Sequence, residues 1–332
     1  MVRIGSIELG DFPLLLAPME DITDPPFRAV CKKMGADLMF SEFISSEGLI
    51  RDALKSRVKL QVREEERPMA IQIFGHDIES MKKATAIAEA ASPDIIDINF
   101  GCPVRKVVAR GAGAGILNDP DKMIRLTGEV VKSTTLPVTV KTRLGWDEEH
   151  QNIVEISERL QDAGIKAISI HGRTRAQLYR GNADWKLIGS VKNNPRMHIP
   201  VFGNGDVTSA AIALEMKLRY PVDGIMIGRA AVGYPWIFRE TRHLFATGNL
   251  LPPPALEERI ALLKEHLQAS VDFKGERRTA IEMRKFYSGY FREIPDVKKY
   301  RSRLVVMEDI REIFETLEEM LHEFAPGELN QL

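Results

Sequence analysis

The sequence predicts an α/β protein, a closed (β/α)8 TIM barrel followed by a small C-terminal all-helical domain. Eight short apolar runs recur along the chain, at 14–19, 38–44, 69–74, 95–100, 138–142, 167–171, 200–203 and 224–227. They are apolar on nearly every residue and are separated by segments long enough for a helix, which describes parallel strands covered on the outside. An eight-fold alternation over roughly 240 residues is the size of such a barrel. A doubly wound open sheet is the competitor, and the placement of polar residues decides against it. Polar or glycine-rich signals follow strand after strand: Met19-Glu20-Asp21, Gly101-Cys102-Pro103, Lys141-Thr142-Arg143, His171-Gly172-Arg173, Gly203-Asn204-Gly205-Asp206 and Gly228-Arg229. A barrel gathers those ends on one face, whereas an open sheet spreads them along a line.

Each helix carries its own start signal. Asp24 before Pro25 caps the first and pre-sets its opening turn. Asp77 opens a helix through Ala91, Asp119-Pro120 one through Lys132, and Glu148 one through Ala163, with Gly164 suited to its C-cap. The alternation ends after Arg239, and Leu250-Leu251-Pro252-Pro253-Pro254 reads as a linker. Beyond it, 257–273, 279–291 and 304–324 repeat apolar residues every three or four positions, the pattern of three or four helices. The expected division is a catalytic barrel over 1–245 and a helical domain over 255–332.

Composition sets the class. The chain has 332 residues, 44% apolar and 28% charged, ordinary for a soluble globular protein. Two cysteines far apart in sequence argue for a reducing compartment rather than a disulfide framework. The N-terminus lacks the apolar segment of a signal peptide and no run reaches membrane-spanning length, so the expectation is a cytoplasmic protein with no membrane partner. The net charge of −1 conceals an asymmetry. Residues 274–303 hold ten Lys/Arg against four Asp/Glu, and 304–332 hold one Arg against eight Asp/Glu. A local basic face is therefore compatible with a neutral total.

Several motifs carry chemistry. Gly203-Asn204-Gly205-Asp206 and Gly228-Arg229 follow the seventh and eighth strands, where barrels frequently bind phosphate through backbone N–H groups. Lys141 and Arg143, two apart on the fifth strand, point to the same side and call for an anionic or polar guest. His171 ends the sixth strand within the same ring, and Gln72 on the third offers an amide that both donates and accepts. Cys102 stands at the mouth of the fourth strand. A thiol of ordinary pKa near 8.5 is mostly protonated at neutral pH and can act as an acid as readily as a nucleophile. No Cys-x-x-Cys is present, so no metal is expected. Cys31, in the amphipathic first helix, reads as core packing. The basic, glycine-rich stretch 106–115 reads as a mobile lid or a plain long loop.

Together these segments resemble the tRNA-dihydrouridine synthases, particularly their bacterial B-type branch. The resemblance runs from about Leu14 to Arg239 and, less tightly, into the helical tail. It is carried by Ala17-Pro18-Met19 with Asp21-Ile22-Thr23-Asp24, Ser41-Glu42, Gln72-Ile73-Phe74-Gly75, Asn99-Phe100-Gly101-Cys102-Pro103, Val140-Lys141-Thr142-Arg143, His171-Gly172-Arg173-Thr174, Gly203-Asn204-Gly205-Asp206 and Gly228-Arg229. Any one motif is weak; eight in order are specific.

The resemblance implies an FMN-dependent enzyme, reduced by NADPH or NADH, that saturates the C5=C6 bond of D-loop uridines in tRNA. It places Pro18, Met19, Glu20 and Gln72 at the flavin ring, Lys141 at its N1/O2 edge and His171 among the cofactor contacts. Asn204, Gly205, Asp206, Gly228 and Arg229 hold the ribityl phosphate end, while Asn99 and Arg143 contact the uracil. Hydride from flavin N5 goes to C6, and Cys102 gives the proton to C5. Glu20 stands where many members carry a small residue, so its carboxylate either sits near the flavin or turns away and leaves the backbone to bind. The helical tail, with Arg277, Arg278, Arg284, Lys285, Lys298, Lys299 and Arg301 near Tyr287 and Tyr290, is expected to clamp the tRNA backbone, and the protein is expected to be a monomer. The alternatives are an FMN barrel oxidoreductase acting on a free pyrimidine-like molecule, and a tRNA-binding chaperone on a decayed barrel.

Overall fold

Alternate residues of a strand face opposite sides, so closing a sheet sorts each strand into an inner and an outer row. The computed structural model, which describes residues 1–324, places the eight expected runs side by side. The barrel strands are Leu14–Leu16, Met39–Phe40 continued by Ile44–Ser45, Met69–Phe74, Ile95–Asn99, Val138–Arg143, Ala167–His171, Val201–Asn204 and Gly224–Ile227. All pair in parallel with their neighbours in sequence. The eighth strand returns to the first, Met226 opposite Leu15, and a parallel bridge from Leu15 to Leu38 completes the ring. The fold is the expected TIM barrel.

The second strand departs from the single run read at 38–44. Phe40 pairs with Ala70 and Ile44 with Ile73, so four steps on one strand match three on the other. That extra residue is a bulge. It lets the Ser41 Oγ accept the Gln72 N–H at 2.9 Å, and it lets a carboxylate oxygen of Glu42 accept the N–H of Asp21.

The barrel interior is layered. Leu15, Leu38, Phe40, Ala70, Ile95, Ala167, Phe202 and Met226 form an apolar cluster with Val2, Ile4 and Leu9. The last three lie in or beside an antiparallel hairpin, Arg3–Ile4 with Ile7–Glu8, that plugs the N-terminal end. Two-residue strands carry no periodicity, and this hairpin was not legible in the sequence. Above the apolar layer the inner row turns polar, through Gln72, Asp97, Thr139 and Ser169 and then Asn99, Lys141 and His171.

The helix signals work largely as read. Asp24 Oδ1 accepts the Phe27 N–H at 3.1 Å ahead of Pro25–Lys33. Asp77 and Asp119 cap Ile78–Ala90 and Pro120–Lys132 in the same way. The helix expected from Glu148 begins instead at Ile153. Asp147 Oδ1 accepts the N–H groups of Glu149 and His150, and this turn keeps the segment out of the helix.

The C-terminal region has five helices among the described residues: Leu256–Lys274, Glu276–Glu282, Arg284–Tyr290, Lys298–Leu304 and Ile310–Phe324. The continuous helix expected over 304–324 is interrupted because Asp309 caps a new start, its carboxylate accepting the Arg311 N–H at 2.8 Å. Expectations for 325–332 lie outside the described residues. No helix among the described residues is long and apolar enough to cross a membrane.

Many contacts seat this region on the barrel, and three of them are closely fitted. Phe27 packs against His266 and Phe286, with ring centroids 5.6 and 5.1 Å apart. Lys274 joins Asp24 at 2.6 Å and Glu282 at 2.9 Å, so the carboxylate that caps the first helix also anchors the tail. Third, the loop after the eighth strand meets Arg284–Tyr290 backbone to backbone. A Cβ on Gly289 would lie 2.2 Å from the Val232 carbonyl oxygen, and one on Gly233, at φ +69°, would lie 2.1 Å from that of Phe286.

Gly289→Ala is therefore expected to destabilise the protein by about 1–3 kcal/mol in urea unfolding. Gly128→Ala, where an added Cβ meets nothing within 4 Å, should be neutral or stabilising by about 0.5–1 kcal/mol. Equal effects of the two would remove the close approach as the reason for Gly289.

Candidate active site

The C-terminal ends of the strands open into a cavity of about 1050 Å³, at the upper end of small-molecule sites, which span roughly 300–1,000 Å³. One wall is Pro18, Met19 and Glu20, from the loop after the first strand. Glu20 turns its carboxylate onto Lys59, which also lies 3.9 Å from Glu42. The carboxylates of Glu20, Asp21 and Glu42 gather within 4.8 Å of one another, and Lys59 supplies their counter-charge. Burial lifts the Glu42 carboxyl to about 7 despite Lys59.

Cys102 stands across the cavity, 7% exposed. Its loop is held from below, because Asn99 Oδ1 accepts both the Gly101 N–H at 2.9 Å and the Cys102 N–H at 2.8 Å. Burial raises the thiol above its ordinary value, outweighing the Val104 N–H and the Arg143 cation that act against it. The sulfur is therefore protonated at neutral pH. The stretch after it has two parts: Arg105–Val108 is a short helix with no buried residue, while Ala112–Leu117 is buried and Ala114 donates its N–H to the Cys102 carbonyl at 2.9 Å.

Gln72 does not line the cavity. It is fully buried one layer down, and its amide is taken up by Asp97 and Asn99 at 2.6 and 2.9 Å. Asp97 also accepts the Thr139 hydroxyl at 2.5 Å. Burial raises its carboxyl to about 6 against those hydrogen bonds and Lys141, leaving it ionised at neutral pH.

Two cations rise from the fifth strand. Burial, reinforced by neighbouring Arg143, lowers the Lys141 ammonium to about 8, and among the described residues its Nζ has no hydrogen bond or ion pair. Arg143 is braced by three carbonyls. Its Nε donates to Gly101 at 2.7 Å and its Nη1 to Thr174 and Leu178 at 3.0 and 2.8 Å, which leaves Nη2 uncommitted.

His171 completes this ring. Arg173 Nη1 donates to its Nε2 at 3.2 Å, which assigns the ring proton to Nδ1. Burial, with Lys141, Arg143, Arg173 and Arg229 around it, holds the imidazole well below its ordinary pKa, so it is neutral.

The far end of the cavity is built from Asn204, Gly205, Asp206, Gly228 and Arg229. Asn204 is fixed by its Nδ2 donating to the Met226 carbonyl at 2.8 Å. A Cβ on Gly205, at φ +121°, would fall 2.7 Å from the Ala183 Cβ and 2.9 Å from His171 Cδ2, so only glycine fits. The N–H groups of Gly205, Asp206, Gly228 and Arg229 meet no protein acceptor among the described residues. Asp206 accepts Arg173 at 2.6 Å and Arg229 at 3.2 Å, leaving the Arg229 side chain 61% exposed at the cavity.

All the residues expected at the site but Gln72 thus line one cavity. The sequence reading missed Arg175, Tyr179 and Arg292, which also line it. Arg175 lies 3.3 Å from the Trp146 ring centroid, and Tyr179 sits beneath both Arg143 and Arg229 at 5.6 and 5.2 Å. Arg292 comes from the helical region. Their local signal was the Arg-Thr-Arg run 173–175 and a loop tyrosine, neither distinctive alone.

The basic segment of the tail needs a correction. Tyr287 and Tyr290 are fully buried and present no stacking surface. Lys274, Arg278, Arg284, Lys299 and Arg303 are paired with carboxylates, and Lys285 donates to the Asp21 carbonyl. Among the described residues Arg277, Lys298 and Arg301 are exposed without an ion pair.

A model of the family described as Dihydrouridine synthase matches residues 15–325. The tRNA-dihydrouridine synthase B of Escherichia coli is 41% identical over 324 residues, 98% of this chain and 100% of its own length. That of Pseudomonas putida is 40% identical over 308 residues, 93% of this chain and 90% of its own. Among solved structures, 2-naphthoyl-CoA reductase superposes with a TM-score of 0.58 at 10% identity, over 73% of this chain and 51% of that one, a likeness of fold.

Across pH 6–8, His171 is expected to remain neutral with its proton on Nδ1 by imidazole NMR, and Arg173→Met should raise its pKa. Titration of the wild-type ring near its ordinary value would contradict the cationic surroundings described.

Proposed function

The chain belongs to the dihydrouridine synthase family, and on that premise we propose that this cavity reduces a D-loop uridine of tRNA to dihydrouridine, with FMN as cofactor and NADPH or NADH as electron source. The observation that carries this reading is a protonated thiol and an unpartnered ammonium facing one cavity whose far end is lined by free backbone N–H groups.

The residues fit a flavin mononucleotide. Gly205, Asp206, Gly228 and Arg229 would take its phosphate through the free N–H groups and the Arg229 guanidinium. Asn204 and neutral His171 would border the chain leading to it, and Pro18, Met19 and the backbone of Glu20 the ring. Lys141 would meet the polar edge of the ring, where its charge offsets negative charge. Gln72 would act from beneath, through Asn99. When bound, the cofactor supplies the hydride that a pyrimidine takes at C6.

The protein's own part is to hold the uracil and deliver a proton. The C5=C6 bond is conjugated with the C4 carbonyl, so addition at C6 leaves charge on C5 and O4. Arg143 Nη2 and the second N–H of the Asn99 amide are free to hold the base oxygens. Cys102 then gives its thiol proton to C5, and the sulfur recovers a proton from solvent. Its raised pKa suits this role, because the acid must be protonated before it can act.

A base in folded tRNA must leave its stack to reach the cavity. Arg175, Tyr179 and Arg292 stand at the cavity as stacking and phosphate partners, and Arg277, Lys298 and Arg301 extend the cationic surface along the helical region. The barrel acting on a free pyrimidine is the weaker reading, since both curated relatives bear the name of a tRNA enzyme over 90% or more of their length.

Cys102→Ala is expected to retain FMN and its bleaching by NADPH while losing about 10²–10⁴-fold in uridine reduction; undiminished turnover of unmodified tRNA would remove the proton-donor role. With Lys141 at about 8, its ammonium is present below that pH and lost above it. FMN affinity of the apoprotein, followed by flavin fluorescence, should therefore fall from pH 7 to 9. Lys141→Met should weaken it about tenfold to hundredfold and flatten that dependence, whereas a pH-independent wild type would place Lys141 away from the flavin.

A further inference from the structure

Asn99 can hold the Cys102 loop only if its amide points the right way, and nothing in the amide itself decides that. Its Oδ1 accepts the Gly101 and Cys102 N–H groups at 2.9 and 2.8 Å, while its Nδ2 donates to Gln72 Oε1 at 2.9 Å. Gln72 in turn donates from Nε2 to Asp97 Oδ2 at 2.6 Å, and Asp97 Oδ1 accepts the Thr139 hydroxyl at 2.5 Å. Gln72, Asp97, Asn99 and Thr139 are all at most 5% exposed, so no bulk water rescues a mismatch.

This chain has a direction. A backbone N–H can only donate, an ionised carboxylate can only accept, and each amide between them has one end of each kind. With an acceptor-only group at its base, the chain has one fully satisfied arrangement. Gln72 must offer its NH2 to Asp97, so it shows its oxygen to Asn99. Asn99 must answer with its NH2, and its oxygen is left for the loop.

We propose that Asp97 is a positioning residue for Cys102: its carboxylate fixes the direction of two buried amides and thereby delivers an acceptor to the loop that carries the thiol. An amide at position 97 would remove that direction. Turning its NH2 toward Gln72 would reverse both amides and set Asn99 Nδ2 against the Gly101 and Cys102 N–H groups, donor against donor.

The link to turnover rests on Cys102 being the proton donor; the link to the loop does not, and the two are measured separately. Asp97→Asn and Gln72→Met are each expected to speed hydrogen exchange of the peptide containing Gly101 and Cys102 and to change the rate of Cys102 alkylation by iodoacetamide severalfold. Both should lower kcat for tRNA about tenfold to hundredfold. The decisive variant pairs Asp97→Asn with Gln72→Glu. The new carboxylate accepts from residue 97 on one side and from Asn99 Nδ2 on the other, so the direction toward the loop is restored with the same total charge. Recovery of exchange, alkylation and kcat in that pair is the expected result. If Asp97→Asn and Gln72→Met lower only the unfolding midpoint and leave exchange and alkylation unchanged, or if the pair is no better than Asp97→Asn alone, the relay is overturned. Altered exchange and alkylation with unaltered kcat would keep the relay and instead count against Cys102 as the donor.

Discussion

Closure of the barrel is the constraint on which the rest depends. Once Gly224–Ile227 pairs with Leu14–Leu16, every second residue of every strand is committed to a small interior. Its N-terminal half is filled with apolar side chains and plugged by the hairpin around Gly5. Its C-terminal half must then accommodate whatever polar groups the inner rows carry, and there the chain places three amides, a carboxylate, a lysine, an arginine and a histidine. These groups survive burial because each is matched to a neighbour on the adjacent strand, or because, as with Lys141, it faces the cavity.

The charge balance of the cavity follows from that matching. Its carboxylates are neutralised by the protein itself, Glu20 by Lys59 and Asp206 by Arg173 and Arg229, and Asp97 beneath it is satisfied by hydrogen bonds from Gln72 and Thr139. Lys141, Arg143 Nη2 and the exposed guanidinium of Arg229 keep free capacity, and the free N–H groups beyond the seventh and eighth strands add to it. A cavity with spent acceptors and unspent donors is tuned to an electron-rich, phosphate-bearing guest. Burial, helped by the same cations, keeps His171 neutral, and burial also keeps the Cys102 thiol protonated. One electrostatic setting thus suits both the binding and the proton delivery proposed for this cavity.

The helical region is not a loosely tethered appendage. Gly233 and Gly289 let two backbones touch, Lys274 reaches the Asp24 carboxylate, and Phe27 packs against the His266–Phe286 pair. Asp24, Asp21 and Glu20 belong to the same segment that forms one cavity wall, so the seat of the helices and the cavity are contiguous. Arg292 reaches the mouth of the cavity as a consequence.

The strand runs, the caps at Asp24, Asp77 and Asp119, the polar residues at the strand ends and the solitary thiol of Cys102 were all legible in the sequence. Each depends on period, on a residue's own conformational preference, or on its place after a strand, and those are local. What lies across a sheet is not local, and there the tertiary structure decided. It spent Gln72 on Asp97 and Asn99 instead of exposing it, buried Tyr287 and Tyr290, and paired Lys274, Arg284, Lys299 and Arg303 with carboxylates remote in sequence. It also broke the second strand with a bulge that serves Gln72 and Asp21, and brought Arg292 to a cavity nearly two hundred residues from Cys102. Period reveals which face a side chain takes, but hydrogen-bond direction and charge pairing belong to neighbours that only the closed barrel and its docked helices bring together.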